Sequence, residues 1–194
     1  MRAPAILLLA AGASRRMRGA DKLLMKVDDQ ALLARMAERA LATGHPVFVT
    51  LPEGGGPRKA ALAGLKVTPV AVAKPERGMS ASIRAGIEAL PPGTPAALIM
   101  LADMPEITTA DLDTLLAASA RAGHRRIIRA TGEDGTPGNP VLFPARLFPA
   151  LKTLKGDQGA RALVKQENPL PVPLPGRHAL IDLDTPEDWQ AWQG

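Results

Sequence analysis

The apolar positions fall into short runs separated by stretches of helical periodicity. Ala5-Ile6-Leu7-Leu8-Leu9 is continuously apolar and ends in small residues, the pattern of a parallel strand buried on both faces that feeds a loop. From Ala31 to Leu41 the apolar side chains Leu32, Leu33, Met36 and Leu41 recur at helical spacing between Arg35, Glu38 and Arg39. Strand-like runs follow at Val47–Leu51 and Val67–Val72, with Gly54-Gly55-Gly56-Pro57 as punctuation between them. The pattern next predicts a helix over Ser80–Leu90, a buried strand over Ala97–Leu101, and a helix over Thr109–Ala122 capped by Thr108 or Thr109. Short strands at Ile127–Ala130 and Val141–Phe143 flank a turn-rich stretch from Gly132 to Pro140. Helical segments at Ala145–Leu151 and Ala160–Gln166, a Pro-rich crossing from Pro169 to Pro175, a strand ending at Leu183 and a helix from Pro186 complete the chain. Such alternation predicts a three-layer α/β architecture, a doubly wound and mainly parallel sheet of Rossmann-like type. Its ligand groups should follow Leu9, Leu101 and Leu183 at the carboxyl ends of the strands.

At 194 residues, with no repeat or interdomain linker, the chain reads as a single domain spanning 1–194. With no Cys, neither a disulfide framework nor thiol chemistry is available, and three scattered His leave little for a zinc centre. Any metal should be hard and oxygen-bound. Aromatic residues make up 3% with no Tyr, which argues against the base-stacking surfaces of nucleic-acid binders. The net charge of +5 is concentrated: residues 1–26 hold six basic side chains against Asp21 alone, and the remainder is balanced. That points to a local anion site or to an ordinary solvated basic face. Arg2 and the apolar run imitate a secretory signal, but Arg15, Arg16 and Arg18 follow at once, opposing export. No run approaches the ~20 apolar residues that cross a bilayer, so the expectation is a cytoplasmic protein without a membrane partner.

Several segments carry candidate chemistry. After the first predicted strand, Ala10-Ala11-Gly12-Ala13-Ser14 is small enough for backbone N–H groups to approach a phosphate, with Arg16 and Lys22 supplying charge; a tight turn with a basic face is the plainer alternative. Neither the Walker pattern nor Gly-x-Gly-x-x-Gly occurs, which argues against P-loop hydrolases and dinucleotide oxidoreductases. Asp103, in Leu101-Ala102-Asp103-Met104-Pro105, stands at the ligand edge, where a carboxylate can hold Mg²⁺ against phosphate oxygens or simply form a turn. Asp182 and Asp184, two apart, would point the same way from an extended chain. Asp184 or Thr185 can instead cap the helix that Pro186 opens, leaving Asp182 on the site. In Gly78-Met79-Ser80-Ala81-Ser82, capping accounts for one hydroxyl and leaves the other for a base or ribose. Gly135–Pro140 and Gly156–Arg161 are further loops, the second resembling another anion cradle. Trp189 and Trp192 suit either a partner surface or an anchor for the last helix.

Taken jointly, Leu9-Ala10-Ala11-Gly12-x-Ser14-x-Arg16-Met17 with Lys22, Gly78-Met79-Ser80-x-Ser82, Leu101–Pro105, Gly138-Asn139-Pro140-Val141, Gly156-Asp157-x-Gly159-Ala160-Arg161 and Asp182-x-Asp184-Thr185-Pro186-Glu187-Asp188 resemble the MobA-like nucleotidyltransferases, most closely the molybdenum cofactor cytidylyltransferases. The resemblance runs from about Ile6 to Trp189 and implies a Rossmann-like nucleotidyltransferase fold. It implies transfer of CMP from CTP to the terminal phosphate of molybdopterin, with Mg²⁺ as cofactor and pyrophosphate as product. Ala10, Ala11, Gly12, Ala13 and Ser14 would cradle the triphosphate, Arg16 would meet its outer phosphates and Lys22 its α-phosphate. Gly78, Ser80 and Ser82 would lie near base or ribose. Asn139, Asp157 and Arg161 would face the pterin, and Asp103 with Asp182 or Asp184 would hold the metal. A molybdoenzyme or its chaperone is an implied partner. The Ala11 position, where guanylyltransferases usually carry a second glycine, selects CTP over GTP. Arg18 stands where the family commonly has Gly. A non-catalytic cofactor carrier is the alternative from another functional class.

Overall fold

The computed structural model describes residues 2–156 and 160–193. Its centre is β1 (Ala5–Leu9), hydrogen-bonded in parallel to β4 (Val47–Pro52) on one side and to β6 (Ala96–Leu101) on the other. Between β1 and β4 lie the small hairpin β2 (Lys26–Val27) and β3 (Gln30–Ala31), then helix α1 (Leu32–Ala42). Helix α2 (Gly56–Ala61) leads to β5 (Thr68–Val72), parallel to β4, and α3 (Met79–Ala89) returns the chain to β6. Past α4 (Thr109–Arg121) come β7 (Ile128–Thr131), β8 (Pro137–Pro144), α5 (Phe148–Leu151), α6 (Arg161–Gln166), β9 (Leu170–Pro173) and α7 (Pro186–Gln193). The main sheet runs β5-β4-β1-β6-β8-β7-β9, with β8 antiparallel to both neighbours, so the expected α/β sheet is present and mainly parallel.

The unbroken apolar run of β1 has a direct physical cause: both faces are covered. Ile6 and Leu8 pack into a core that takes in Leu33, Met36, Leu112, Leu115 and Trp189, while Leu7 and Leu9 enter a second core with Ile83, Ile87, Phe143 and Leu151. On full burial each such Leu contributes about 2 kcal/mol of transfer free energy. Helix α3 lies so close to β1 that a Cβ on Gly86 would come within 2.3 Å of Leu7 Cδ1, which excludes any larger residue there without repacking.

Several local expectations need correction. Leu183 ends no strand; residues 181–184 are irregular, tied down where the Leu183 N–H donates to the Asp103 carbonyl at 2.9 Å. The Pro-rich crossing contains the edge strand β9, where alternate prolines are tolerated because one side of the strand has no partner to bond. The glycine punctuation at Gly54–Pro57 starts α2, and β8 extends back through the turn-rich stretch to Pro137. Ala145–Leu151 divides into a 3₁₀ turn and the short α5. Thr108 rather than Thr109 caps α4, in a reciprocal box with Asp111. Trp189 is buried and meets Trp192 edge-to-face at 6.1 Å between ring centres, while Trp192 donates its indole N–H to Glu106, so both serve as anchors for α7.

Candidate active site

In this strand order the chain winds away from β1 in one direction and from β6 in the other. The loops that leave Leu9 and Leu101 therefore diverge and open a crevice at the carboxyl ends of the two strands. A cleft of about 290 Å³ occupies it, lined by Ala10, Ala11, Gly12, Ala13, Lys22, Glu76, Gly78, Met79, Ser82 and Asp103. The Ala10 N–H donates back to the backbone and side-chain oxygens of Thr50, on β4, which ties the loop's first residue to the sheet. Beyond it, the N–H groups of Ala11, Gly12, Ala13 and Ser14 donate to no protein acceptor among the described residues. A Cβ on Gly12 would meet nothing within 4 Å, so the loop borders open space at that point. Gly78 begins α3 with φ 83°, a backbone geometry that a side-chain-bearing residue adopts only under strain.

At the edge of the cleft, Lys22 lies between two carboxylates that approach it from 81 and 162 residues away. Its ammonium donates to Asp103 Oδ2 and, at 2.6 Å, to Asp184 Oδ1. Burial opposes the charge on Lys22, but Asp103 and Asp184 outweigh it and raise the pKa above the ordinary lysine value. The other Asp103 oxygen, Oδ1, is buried without a partner. Arg39 donates to the carbonyls of Pro105 at 2.5 Å and Ile107 at 2.7 Å, fixing the turn just beyond Asp103. Arg16, 71% exposed at its side chain, pairs with Asp184 Oδ2 at 2.7 Å.

A second cleft of about 340 Å³ shares Met79 and Leu101 with the first. Apolar walls from Ile83, Ile99, Val141 and Phe143 surround Asn139, Arg161 and Arg129. The Arg129 pKa is pushed down by burial and by the like charge of Arg161.

The structure thus brings together Ala10, Ala11, Gly12, Ala13, Lys22, Gly78, Ser82 and Asp103, with Asn139 and Arg161 next door. Other expected residues are placed differently. The Ser14 hydroxyl faces Arg58 and Asp21 and does not line the cleft. Ser80 is buried and opens toward a different hollow, with Arg77, Arg84 and Lys155. Neither serine caps α3, because Gly78 holds the N-cap position and no side chain bonds there. Asp184, which the sequence left open as a helix cap or a site carboxylate, is the carboxylate on Lys22 and Arg16. Thr185 caps α7 in partnership with Asp188. Asp182 is solvent-exposed at the edge of this cluster, and its pKa is raised by partial desolvation and by the like charges of Asp184 and Asp103. Arg18 forms a surface ion pair with Glu187 at 2.6 Å. Asp157 lies outside the described residues. Sequence reasoning missed Arg129 and Arg58: the first looks like an ordinary strand residue, and the second follows a glycine cluster that reads as a loop.

No helix among the described residues is long and apolar enough to cross a membrane. The MobA-like NTP transferase domain matches residues 6–170. The purine catabolism protein PucB of Bacillus subtilis is 29% identical over 97% of this chain and 96% of its own length. A probable molybdenum cofactor guanylyltransferase of Synechococcus elongatus is 32% identical over 97% of both chains. Rv0371c of Mycobacterium tuberculosis superposes with a TM-score of 0.86 at 26% identity, covering 98% of this chain and 97% of its own. A manganese complex of Rv0371c superposes at 0.80 with 22% identity and equal coverage. With most of its length matched and a relative above 30% identity across nearly the whole chain, this protein belongs to the MobA-like NTP transferase domain family and is a nucleotidyltransferase.

Proposed function

We propose that the protein transfers CMP from CTP to the terminal phosphate of molybdopterin and releases pyrophosphate. The observation that carries this reading is the pairing of two adjoining clefts. One is lined by unbonded backbone amides, Lys22 and Asp103; the other has apolar walls and two guanidinium groups, and both share Met79 and Leu101. In this reading the triphosphate lies along Ala11–Ala13, whose N–H groups donate to its oxygens, and Lys22 turns from the carboxylates to the α-phosphate. Gly78 and Ser82 border the nucleoside, and Arg16 reaches the outer phosphates from the rim. Arg129, Asn139 and Arg161 hold the planar acceptor with its phosphate directed toward the first cleft.

The acceptor oxygen attacks the α-phosphorus in line with the departing pyrophosphate. An oxygen–phosphorus bond forms, the α–β bridge breaks, and the electron pair leaves with pyrophosphate. An already anionic phosphate has no proton to surrender, so positioning and charge neutralisation suffice and no general base is required. The donor set fits Mg²⁺: Asp103 Oδ1 is buried without a partner, and Asp184 stands across the same ammonium. When bound to these two carboxylates, that ion supplies positive charge against the triphosphate oxygens. The choice of CTP rests on Ala11.

The test offers CTP, GTP and ATP separately with Mg²⁺ and molybdopterin, with and without molybdenum, while pyrophosphate and the pterin dinucleotide are quantified. Turnover that prefers CTP supports the full reading. A preference for GTP, in line with the Synechococcus relative's name as a probable guanylyltransferase, overturns the reading of Ala11 and leaves the phosphate site intact. Nucleotide binding without turnover overturns the acceptor.

A further inference from the structure

We infer that Arg58, on α2, is a positioning residue that shapes the phosphate cradle and joins it to the turn carrying Lys22; the inference rests on the nucleotidyl-transfer reading of the cleft. Arg58 is 5% exposed and does not line that cleft. Its guanidinium instead lies behind the loop and uses every nitrogen. Nη1 donates to the carbonyls of Ala10 at 2.6 Å and Gly12 at 2.7 Å, Nη2 to Ser14 Oγ at 3.1 Å, and Nε with Nη2 grips both oxygens of Asp21 at 2.7 and 2.9 Å. A planar fork of donors is needed to reach four separate acceptor groups at once, and a lysine ammonium, with three donors, cannot span them.

Two consequences follow for the anion site. A peptide's C=O and N–H point in opposite directions, so drawing the Ala10 and Gly12 carbonyls back toward Arg58 turns the N–H groups of Ala11 and Ala13 the other way. The strained left-handed backbone of Ser14, with φ 47°, is held in this arrangement by its hydroxyl contact to Arg58. Asp21, in turn, accepts the N–H of Leu23 and caps the turn that presents Lys22. One buried side chain therefore sets the spacing between amide cradle and ammonium. It also neutralises Asp21, a carboxylate that would otherwise repel a triphosphate next to the loop.

The experiment compares Arg58→Met, Arg58→Lys and Arg58→Met/Asp21→Asn with the unaltered protein. It measures Mg-CTP and pyrophosphate binding by calorimetry, KM for each substrate, and folding by circular dichroism. Arg58→Met should raise the Kd for Mg-CTP and for pyrophosphate at least tenfold and the KM for CTP in parallel, with the acceptor KM changed less than twofold. Arg58→Lys should fall between, and the double variant should recover part of the loss because the bare Asp21 charge is gone. If Arg58→Met does not fold, the Lys variant carries the comparison. Unchanged CTP and pyrophosphate affinity in a folded variant overturns the inference, as does equal weakening of both substrates. If the unaltered protein binds neither CTP nor pyrophosphate, the underlying reading of the cleft fails first.

Discussion

Replacing Lys22 with Met removes the ammonium that Asp103 and Asp184 share. Two carboxylate oxygens bonded to one tetrahedral ammonium stand about 4 Å apart, and at an effective dielectric constant of about 20 their mutual repulsion is about 4 kcal/mol. Lys22 is 12% exposed and the two carboxylates 17% and 23%, so solvent screens little of this. The variant should lose about 4 kcal/mol of stability, in the range measured when one partner of a buried ion pair is deleted. For a chain of this size that is a melting temperature lower by about 8–16 °C. Lys22→Met/Asp184→Asn removes the repulsion and should regain most of that stability. Catalysis follows a different rule: on the proposed reading, in which Lys22 meets the α-phosphate, removing the ammonium leaves the charge developing there less compensated, and kcat/KM should fall at least about a hundredfold in both variants. Scanning calorimetry and pyrophosphate release at saturating Mg²⁺ separate the two effects. The reasoning is refuted if the single variant melts like the unaltered protein, or if the double variant recovers activity along with stability.

Other perturbations probe neighbouring parts of the site. Gly12→Val adds atoms where the structure has open space, so the thermal melt should stay within about 1 kcal/mol while the KM for CTP rises tenfold or more, as steady-state kinetics would reveal. Arg129→Ala should raise the acceptor KM by about tenfold and leave CTP binding unchanged; equal weakening of both substrates in kinetics would count against the separate clefts. Asp182 has a folded-state pKa above its unfolded value, so its charge costs stability at neutral pH, and that cost disappears as pH falls through the raised value. Asp182→Asn should therefore gain at most about 1 kcal/mol at pH 7, given the exposure of the side chain, and the gain should vanish in melts at lower pH. Leu8→Ala should cost about 2–5 kcal/mol in a denaturant titration, because a packed sheet centre cannot collapse into the gap.

The alternation of strands and helices, and the loops that line the two clefts, are legible along the chain because they depend on neighbours a few residues apart. β1 could be read from five consecutive apolar residues because a strand covered on both faces tolerates nothing else. The small-residue loop after β1, Lys22, Asp103 and Asn139 stand out as motifs in the sequence, and the structure brings them to two adjoining clefts. Other features depended on packing between distant segments, for which local periodicity carries no signal. Whether Asp182 or Asp184 meets Lys22 was settled by the irregular path of residues 181–184, pinned by one backbone bond to Asp103, where the sequence pattern suggests a strand with both carboxylates on one side. The strand in the Pro-rich stretch depended on β7 having a free edge to accept it. Arg58 reaches its acceptors only because α2 packs behind the loop, 44 to 48 residues away from Ala10, Gly12 and Ser14 in the chain. Sequence by itself therefore determined β1, α1, β4, β5, α3, β6, α4 and β7, together with the chemical groups. Tertiary structure decided which charges meet, because electrostatic pairing depends on distance in space, and only the completed sheet sets those distances.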